Sequence, residues 1–230
     1  MNKPRILVFA SGSAEGGGSG FEKLVEASRN GPLNAEIVAV VSNHMNGGVR
    51  KRADSLGIRF LHFPGPWTAT EYQKFANGTG ADFFALSGWL KLVVGLDLNT
   101  RFNPKTVFNI HPGPLPRFGG PGMYGHHVHE AVIEAFKRGE ITHSAATMHF
   151  TAIPKNRKDY DKGPVFLDCR VKIEENDTPD SLQHRVNACE HYYQSRMTNL
   201  VVNGLISWDG VNPDSLICPR DHEISFVDQE

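Results

Sequence analysis

Short apolar runs alternate with amphipathic segments along the first half of the chain. The runs are rich in Val, Ile, Phe and Ala, which is typical of strands buried in a parallel sheet. We predict strands at residues 5–10, 35–42, 58–63, 82–87 and 107–111. Helices are predicted between them at residues 21–28, 48–56 and 68–77. Strands that alternate with helices favour right-handed βαβ units, and therefore an α/β fold with a mainly parallel sheet flanked by helices.

The second half of the chain has longer elements. A helix that opens within residues 122–130 is predicted to run to Lys137, and two strands at residues 144–150 and 164–173 flank a long loop. The last helix is predicted at residues 178–202, with Thr178 as its cap and a proline in its first position. We predict a single domain over residues 1–210 and a peripheral tail over residues 211–230.

Composition excludes several classes of partner. The chain has 230 residues, of which 40% are hydrophobic, and a formal net charge of −1, so it carries no basic field for nucleic acid. No apolar stretch approaches the ~20 residues of a membrane span, and three cysteines without CxxC spacing indicate no disulfide framework. We expect a cytoplasmic protein that binds small molecules, and a homodimer is left open.

The stretch 106–120 carries the clearest chemical signal. Prolines after His111 cannot continue a central strand, so a strand ends there. Because side chains alternate along a strand, Asn109 and His111 leave the same face at its carboxyl end, where α/β proteins bind ligands. A histidine there can act as acid or base near neutral pH. The pair is either catalytic or merely bonds to the loop backbone.

A second signal is the glycine-rich turn at residues 11–20, which follows the first strand and leads into a helix. Exposed backbone N–H groups and the helix dipole make this arrangement an anion-binding site, and phosphate is the expected ligand. The glycines match neither a Walker loop nor a dinucleotide fingerprint. A mobile surface loop is the alternative interpretation.

The sequence resembles the 10-formyltetrahydrofolate-dependent formyltransferases over roughly residues 5–210. The motifs that carry the resemblance are Ser87-Gly88-Trp89-Leu90-Lys91, Asn109-Ile110-His111-Pro112, Leu115-Pro116 and Gly119-Gly120. The resemblance implies a Rossmann-like formyltransferase fold with an added antiparallel edge. It also implies 10-formyltetrahydrofolate as co-substrate, no metal, and formyl transfer to the amine of glycinamide ribonucleotide in purine biosynthesis.

The resemblance further implies roles for particular residues. Asn109, His111 and Asp161 would carry the chemistry, although an ordinary turn aspartate is the alternative for the third. The glycine turn would bind the ribosyl phosphate through Gly18, Ser19 and Gly20. Glu190 of the last helix would bind the ribosyl hydroxyls. The pterin would lie against the backbone of Leu90, Lys91, Leu92 and Val93. The chain departs from the family at residues 151–160, a segment longer than is usual and rich in cations.

The histidines near residue 126 invite a metal interpretation. On a helix His126 lies one turn from both His129 and Glu130, which gives two ligands on one face. The spacing is not H-E-x-x-H and fixes no third ligand, so surface or core histidines are favoured.

The expected mechanism is attack of a primary amine on the formyl carbon. Asn109 and a protonated His111 would stabilise the oxyanion, and Asp161 would keep the imidazole protonated and relay the proton. Three alternatives share some of these features: a sugar-nucleotide N-formyltransferase, a formyltetrahydrofolate hydrolase with the same three residues, and a phosphate-binding module that would not need them.

Overall fold

The computed structural model describes residues 2–219. Seven strands within this range form one sheet in the order β3-β2-β1-β4-β5-β6-β7. The strands are β1 (Arg5–Phe9), β2 (Glu36–Ser42), β3 (Phe60–His62), β4 (Phe83–Ser87), β5 (Val107–His111), β6 (His143–Phe150) and β7 (Val165–Lys172). The helices are α1 (Ser19–Asn30), α2 (Gly48–Leu56), α3 (Ala69–Thr79), α4 (His126–Lys137) and α5 (Pro179–Val202).

The sheet is mixed, as predicted. Strands β1 to β5 pair in parallel, whereas β6 runs antiparallel to β5 and β7 antiparallel to β6. Helices α1, α2 and α3 connect the first four strands, the segment at residues 88–106 joins β4 to β5 without a helix, and α4 lies between β5 and the antiparallel β6. The mainly parallel sheet with an antiparallel edge is thereby confirmed.

Two apolar layers enclose the sheet. Helices α1, α2, α4 and α5 pack on one face, and α3 with a cluster of aromatic rings packs on the other. Strand β5 divides its side chains between them, because Phe108 and Ile110 enter the first layer and Val107 the second. Asn109 and His111 therefore lie on the same face as Val107.

Helix starts follow their capping residues. The Thr178 side chain accepts from the backbone N–H of Ser181 at 3.2 Å, and the Ser181 hydroxyl accepts from the N–H of Thr178 at 3.0 Å. Helix α1 begins at Ser19, earlier than the sequence pattern indicated, because Gly18 adopts the left-handed conformation with φ 83° as its N-cap. Strand β3 is shorter than predicted, with three residues.

The chain after α5 packs back on the core instead of leaving it. Ile206 and Trp208 are buried, and Ser207 pairs with Ile217 in an antiparallel bridge. Of the segment predicted as a peripheral tail, residues 211–219 are described, with Ile217 in this bridge, and residues 220–230 lie outside the described residues. Among residues 2–219, none of the helices combines the length and hydropathy that a membrane crossing requires.

Candidate active site

A pocket of about 560 Å³ opens where β1, β4 and β5 end. The start of α1, the segment before α4 and one side of α5 complete its walls. The carboxyl edge of a parallel sheet is where α/β proteins bind ligands, because the loops that leave the strands meet there. Of the residues singled out in the sequence, the pocket is lined by Gly18, Ser19, Gly20, Leu90, Asn109, His111, Asp161 and Glu190.

Asn109, His111 and Asp161 meet on one wall of this pocket. Asn109 Nδ2 donates to Asp161 Oδ1 at 3.2 Å, and His111 Nδ1 lies 3.8 Å from the same oxygen. His111 Nε2 is 2.8 Å from the carbonyl oxygen of Phe118. A carbonyl only accepts, so Nε2 carries the proton, and the neutral imidazole has a free lone pair on Nδ1.

Two loops fix the position of Asp161. Its φ of 52° lies in the left-handed region, which is uncommon outside glycine. The second carboxylate oxygen, Oδ2, accepts from the backbone N–H of Gly120 at 2.9 Å. A Cβ at Gly119 would lie 3.1 Å from the Asp161 Cβ, so glycine there lets the backbone approach closely. The carboxylate is therefore preorganised before any ligand binds.

A second histidine, His149 of β6, belongs to the same wall and was missed in the sequence analysis. It pairs with Asn109 in the β5–β6 ladder and is buried. Its Nδ1 donates to the carbonyl oxygen of Phe150 at 2.8 Å, which leaves Nε2 as an acceptor 3.2 Å from Asn109 Nδ2. Period-two alternation on β6 was visible in the sequence, but the pairing partner of β6 was not.

Both amide hydrogens of Asn109 are hydrogen-bonded in the ligand-free site. Its two hydrogens go to Asp161 Oδ1 and to His149 Nε2, each at 3.2 Å. These two bonds fix which end of the amide is nitrogen, since a carboxylate can only accept. A substrate oxygen that takes a hydrogen bond from Nδ2 must displace one of them.

The protonation states of His111 and Asp161 differ from those expected from the sequence. Burial lowers the pKa of His111 below its usual value and outweighs the opposing effect of the Asp161 carboxylate. Burial acts to raise the pKa of Asp161, but the nearby imidazoles of His149 and His111 and the hydrogen bond from the Gly120 N–H together lower it. In the ligand-free protein Asp161 is thus ionised and His111 neutral, so the carboxylate does not keep the imidazole protonated as we expected.

The glycine-rich turn is an ordered structure that ends in the pocket. A Cβ at Gly17 would lie 2.4 Å from the Cα of Gly12, so the two arms of the turn touch through bare backbone. Arg52 Nε donates to the Gly17 carbonyl at 3.1 Å, and His191 Nε2 lies 3.0 Å from Ser19 Oγ. The first turn of α1 thus presents its free N–H groups to the pocket, beside the His191 imidazole and an Arg52 guanidinium that is paired with Glu22.

Glu190 lines the pocket from α5. Burial raises the pKa of its carboxyl to about 8, and the neighbouring Cys189 acts in the same direction. Within residues 2–219 the carboxyl has no hydrogen bond or ion pair. A partly exposed carboxyl without a protein partner is free to bond to a ligand in the pocket.

The four residues expected to hold the pterin divide into two groups. Leu90 lines the pocket, and its backbone N–H donates to Ser11 Oγ at 3.0 Å. The other three do not line it: Lys91 Nζ lies over the ring of Trp67, the Leu92 carbonyl accepts from Tyr72, and Val93 is buried. A folate-binding role of these three stays a prediction.

The helix histidines are not gathered around one point. His126 lies 3.2 Å from Asp180 and 3.5 Å from Glu130 at the surface, whereas His129 is buried with its Nδ1 unpartnered. Burial lowers the pKa of His129 to about 4, with His126 and His111 contributing. In the described part of the chain, no group of three His, Cys, Asp or Glu side chains is arranged to hold a metal ion.

Comparison with known proteins identifies the family of the chain. A family profile described as formyl transferase matches residues 4–198. The chloroplastic phosphoribosylglycinamide formyltransferase of Arabidopsis thaliana is 35% identical, and the match covers 92% of this chain and 73% of that protein. The chain therefore belongs to the formyl transferase family, which confirms the resemblance seen in the sequence.

Solved structures show the same architecture. Glycinamide ribonucleotide transformylase 1 from Symbiobacterium toebii superposes with a TM-score of 0.74 at 25% identity, covering 90% of this chain and 92% of that one. A formyltetrahydrofolate deformylase from Pseudomonas syringae pv. tomato has a TM-score of 0.71 at 20% identity over 90% of this chain and 64% of that one. The second likeness shows the fold alone.

Proposed function

We propose that this protein transfers the formyl group of 10-formyltetrahydrofolate to the primary amine of glycinamide ribonucleotide, a step of purine biosynthesis. One observation carries the proposal: a single pocket contains the Asn109, His111 and Asp161 wall together with a helix N-terminus suited to a phosphate. A formyl donor needs the first feature, and a phosphorylated amine acceptor needs the second.

The acceptor end lies where α1 meets α5. The backbone N–H groups at Gly18, Ser19 and Gly20 would bind the ribosyl phosphate, and the Glu190 carboxyl would accept from or donate to the ribosyl hydroxyls. Binding at this end leaves the glycinamide amine free to reach the wall formed by Asn109 and His111. The similarity to the Arabidopsis phosphoribosylglycinamide formyltransferase and to the Symbiobacterium glycinamide ribonucleotide transformylase supports this acceptor over a sugar nucleotide.

The chemistry begins with a neutral His111. The amine lone pair attacks the formyl carbon, the C=O electrons move to oxygen, and Nδ1 of His111 takes a proton from the amine nitrogen. The imidazolium that forms is paired with the ionised Asp161 at 3.8 Å. It then gives the proton to N10 of the folate as the carbon–N10 bond breaks and the carbonyl re-forms, so no metal or covalent intermediate is required.

The oxyanion needs a hydrogen-bond donor beside the formyl oxygen. Asn109 Nδ2 supplies it by exchanging its bond to Asp161 or to His149 for a bond to that oxygen. When His111 is protonated, its Nδ1–H is a second donor to the same oxygen. His149 acts through Asn109 and is therefore a positioning residue.

The folate would enter from the rim at Leu90, beside Tyr160 of the loop at residues 151–163. The 10-formyltetrahydrofolate co-substrate and the pterin-binding backbone of Leu90, Lys91, Leu92 and Val93 are part of this proposal. A single catalytic domain over residues 1–210, a cytoplasmic location and a homodimeric assembly also remain proposals, and the Arabidopsis relative is named as chloroplastic.

Incubation of the purified protein with 10-formyltetrahydrofolate and a panel of acceptors tests the proposal. We expect formylated glycinamide ribonucleotide and tetrahydrofolate in equal amounts, with little formate released in the absence of an amine. Formate release that needs no acceptor would identify a hydrolase instead. Formylation of an amino-sugar nucleotide, without that of glycinamide ribonucleotide, would identify the sibling transferase.

A further inference from the structure

The side chain of Gln194 is a buried amide whose nitrogen has no partner. Gln194 is 2% exposed, belongs to α5 and lines the pocket. Its Oε1 accepts from Ser87 Oγ at 3.4 Å, which turns Nε2 away from Ser87. Within residues 2–219 no hydrogen bond is made by Nε2. The amide nitrogen is thus a donor without a protein acceptor, in a side chain that lines the pocket.

The amide lies directly against the first turn of α1. A Cβ on Gly20 would come within 2.2 Å of Ser87 Oγ and 2.8 Å of Gln194 Oε1, so the helix start, the serine and the amide are in close contact. Glu190 is one turn earlier on α5 and on the same face, because residues four apart on a helix are neighbours. Gln194 and Glu190 therefore line the pocket from one face of α5, beside the N-terminus of α1.

We propose that Gln194 binds the acceptor substrate, with Nε2 donating to a ribose or phosphate oxygen of the nucleotide and Ser87 holding the amide in the required orientation. This inference rests on the proposed function, because it takes glycinamide ribonucleotide as the acceptor. The amide N–H needs a ligand oxygen that accepts a hydrogen bond beside a helix N-terminus. Both the phosphate and the ribose of the nucleotide carry such oxygens. Gln194 contacts the substrate, whereas Ser87 is a positioning residue.

Titration calorimetry on Gln194→Leu, with glycinamide ribonucleotide and with its dephosphorylated ribonucleoside, tests the proposal without turnover. Loss of a neutral hydrogen bond weakens binding by roughly three- to tenfold, and loss of a bond to a charged phosphate by more than about tenfold. Equal weakening for both ligands assigns the oxygen to the ribose. Weakening confined to the nucleotide assigns it to the phosphate. Unchanged affinity for both ligands overturns the proposal.

Gln194→Glu and Ser87→Ala make the test independent of packing. Glutamate keeps the shape but has no N–H, and we expect its affinity for the nucleotide to fall at least as far as that of Gln194→Leu. Ser87→Ala frees the amide, so acceptor KM should rise about threefold while kcat and the KM for formyl-folate stay constant. Nucleotide binding by Gln194→Glu at the wild-type affinity would overturn the proposal even if Gln194→Leu failed to fold.

The failure of this inference can be told apart from the failure of the proposed function. If wild-type protein does not formylate glycinamide ribonucleotide, the function is wrong. If it does, and the three variants retain the wild-type acceptor affinity and KM, only the role of Gln194 is wrong.

Discussion

Asn109 and His149 face each other across the β5–β6 pair, with the amide Nδ2 3.2 Å from the imidazole Nε2. His149 can accept this bond because its Nδ1–H is bound to the carbonyl oxygen of Phe150. The strand pairing thus fixes one histidine tautomer, which in turn orients the amide that would stabilise the oxyanion.

The first prediction concerns His149. Replacement by Gln should lower kcat by up to about 10²-fold with little change in either KM, because a misdirected Asn109 amide stabilises the transition state poorly. Steady-state kinetics on His149→Gln measure this effect. His184→Gln, on the exposed face of α5, is the control and should behave as wild type. A wild-type kcat in His149→Gln would show that the histidine only fills space.

The catalytic wall gives the second prediction. Asn109→Ala should lose ~10²–10³ in kcat and His111→Ala ~10²–10⁴, because an oxyanion donor and an acid–base group are removed. Residues that act as one unit are not additive, so His111→Ala combined with Asp161→Asn should be little worse than the poorer single variant. Independent multiplicative losses in the double variant would mean that the two residues do not work together.

The third prediction follows from the pKa of His111. Burial lowers it, and the Asp161 carboxylate acts in the opposite direction, so Asp161→Asn should lower the pKa of His111 further. A histidine NMR titration on wild type and Asp161→Asn measures both values. A neutral His111 at pH 7 in the wild-type protein supports its role as the first proton acceptor. A His111 pKa that rises in Asp161→Asn would contradict the electrostatic argument.

Glu190 gives a prediction for stability. Its pKa is raised from 4.5 to about 8 in the fold, so as pH rises above 4.5 the unfolded chain ionises first and the folded state loses stability up to about pH 8. Glu190→Gln removes this loss. We expect the variant to be more stable than wild type at pH 7, by on the order of 1 kcal/mol after allowance for solvent in the pocket, and equal to it at pH 4.

Urea unfolding of the ligand-free protein at several pH values measures this difference. Acceptor KM should rise in the same variant, since the carboxyl is proposed to bind the ribosyl hydroxyls. A Glu190→Gln protein that is less stable than wild type at pH 7 would mean that the carboxylate is paired in solution.

The fifth prediction concerns the glycine turn. A valine at Gly20 would place its Cβ within 2.2 Å of Ser87 Oγ, and one at Gly18 would strain a left-handed backbone with φ 83°. Either change should raise the acceptor KM while leaving the affinity for formyl-folate intact, because the folate is proposed to enter from the Leu90 rim. Gly78→Val, at a position where an added Cβ meets nothing within 4 Å, is the matched control. An unchanged acceptor KM in Gly18→Val and Gly20→Val would show that the phosphate does not bind at this turn.

The sequence by itself determined most of the local structure. Continuous apolar runs, the Thr178 cap, and the prolines after His111 are local signals, so they predicted the parallel strands, the start of α5 and the end of β5. Alternation along β5 also predicted that Asn109 and His111 share a face. Motif resemblance added Asp161 and Glu190, which no local pattern distinguishes from a turn aspartate and an exposed helix glutamate.

Only the tertiary structure decided the contacts between distant segments. His149 reaches Asn109 through the antiparallel pairing of β6 with β5, and Gln194 reaches Ser87 and α1 through helix packing. The residues next to His149 and Gln194 in the sequence predict neither contact. The charge of His111 was also undecided in the sequence, because burial and the nearby carboxylate shift its pKa in opposite directions, and only the folded chain sets how deeply the imidazole is buried.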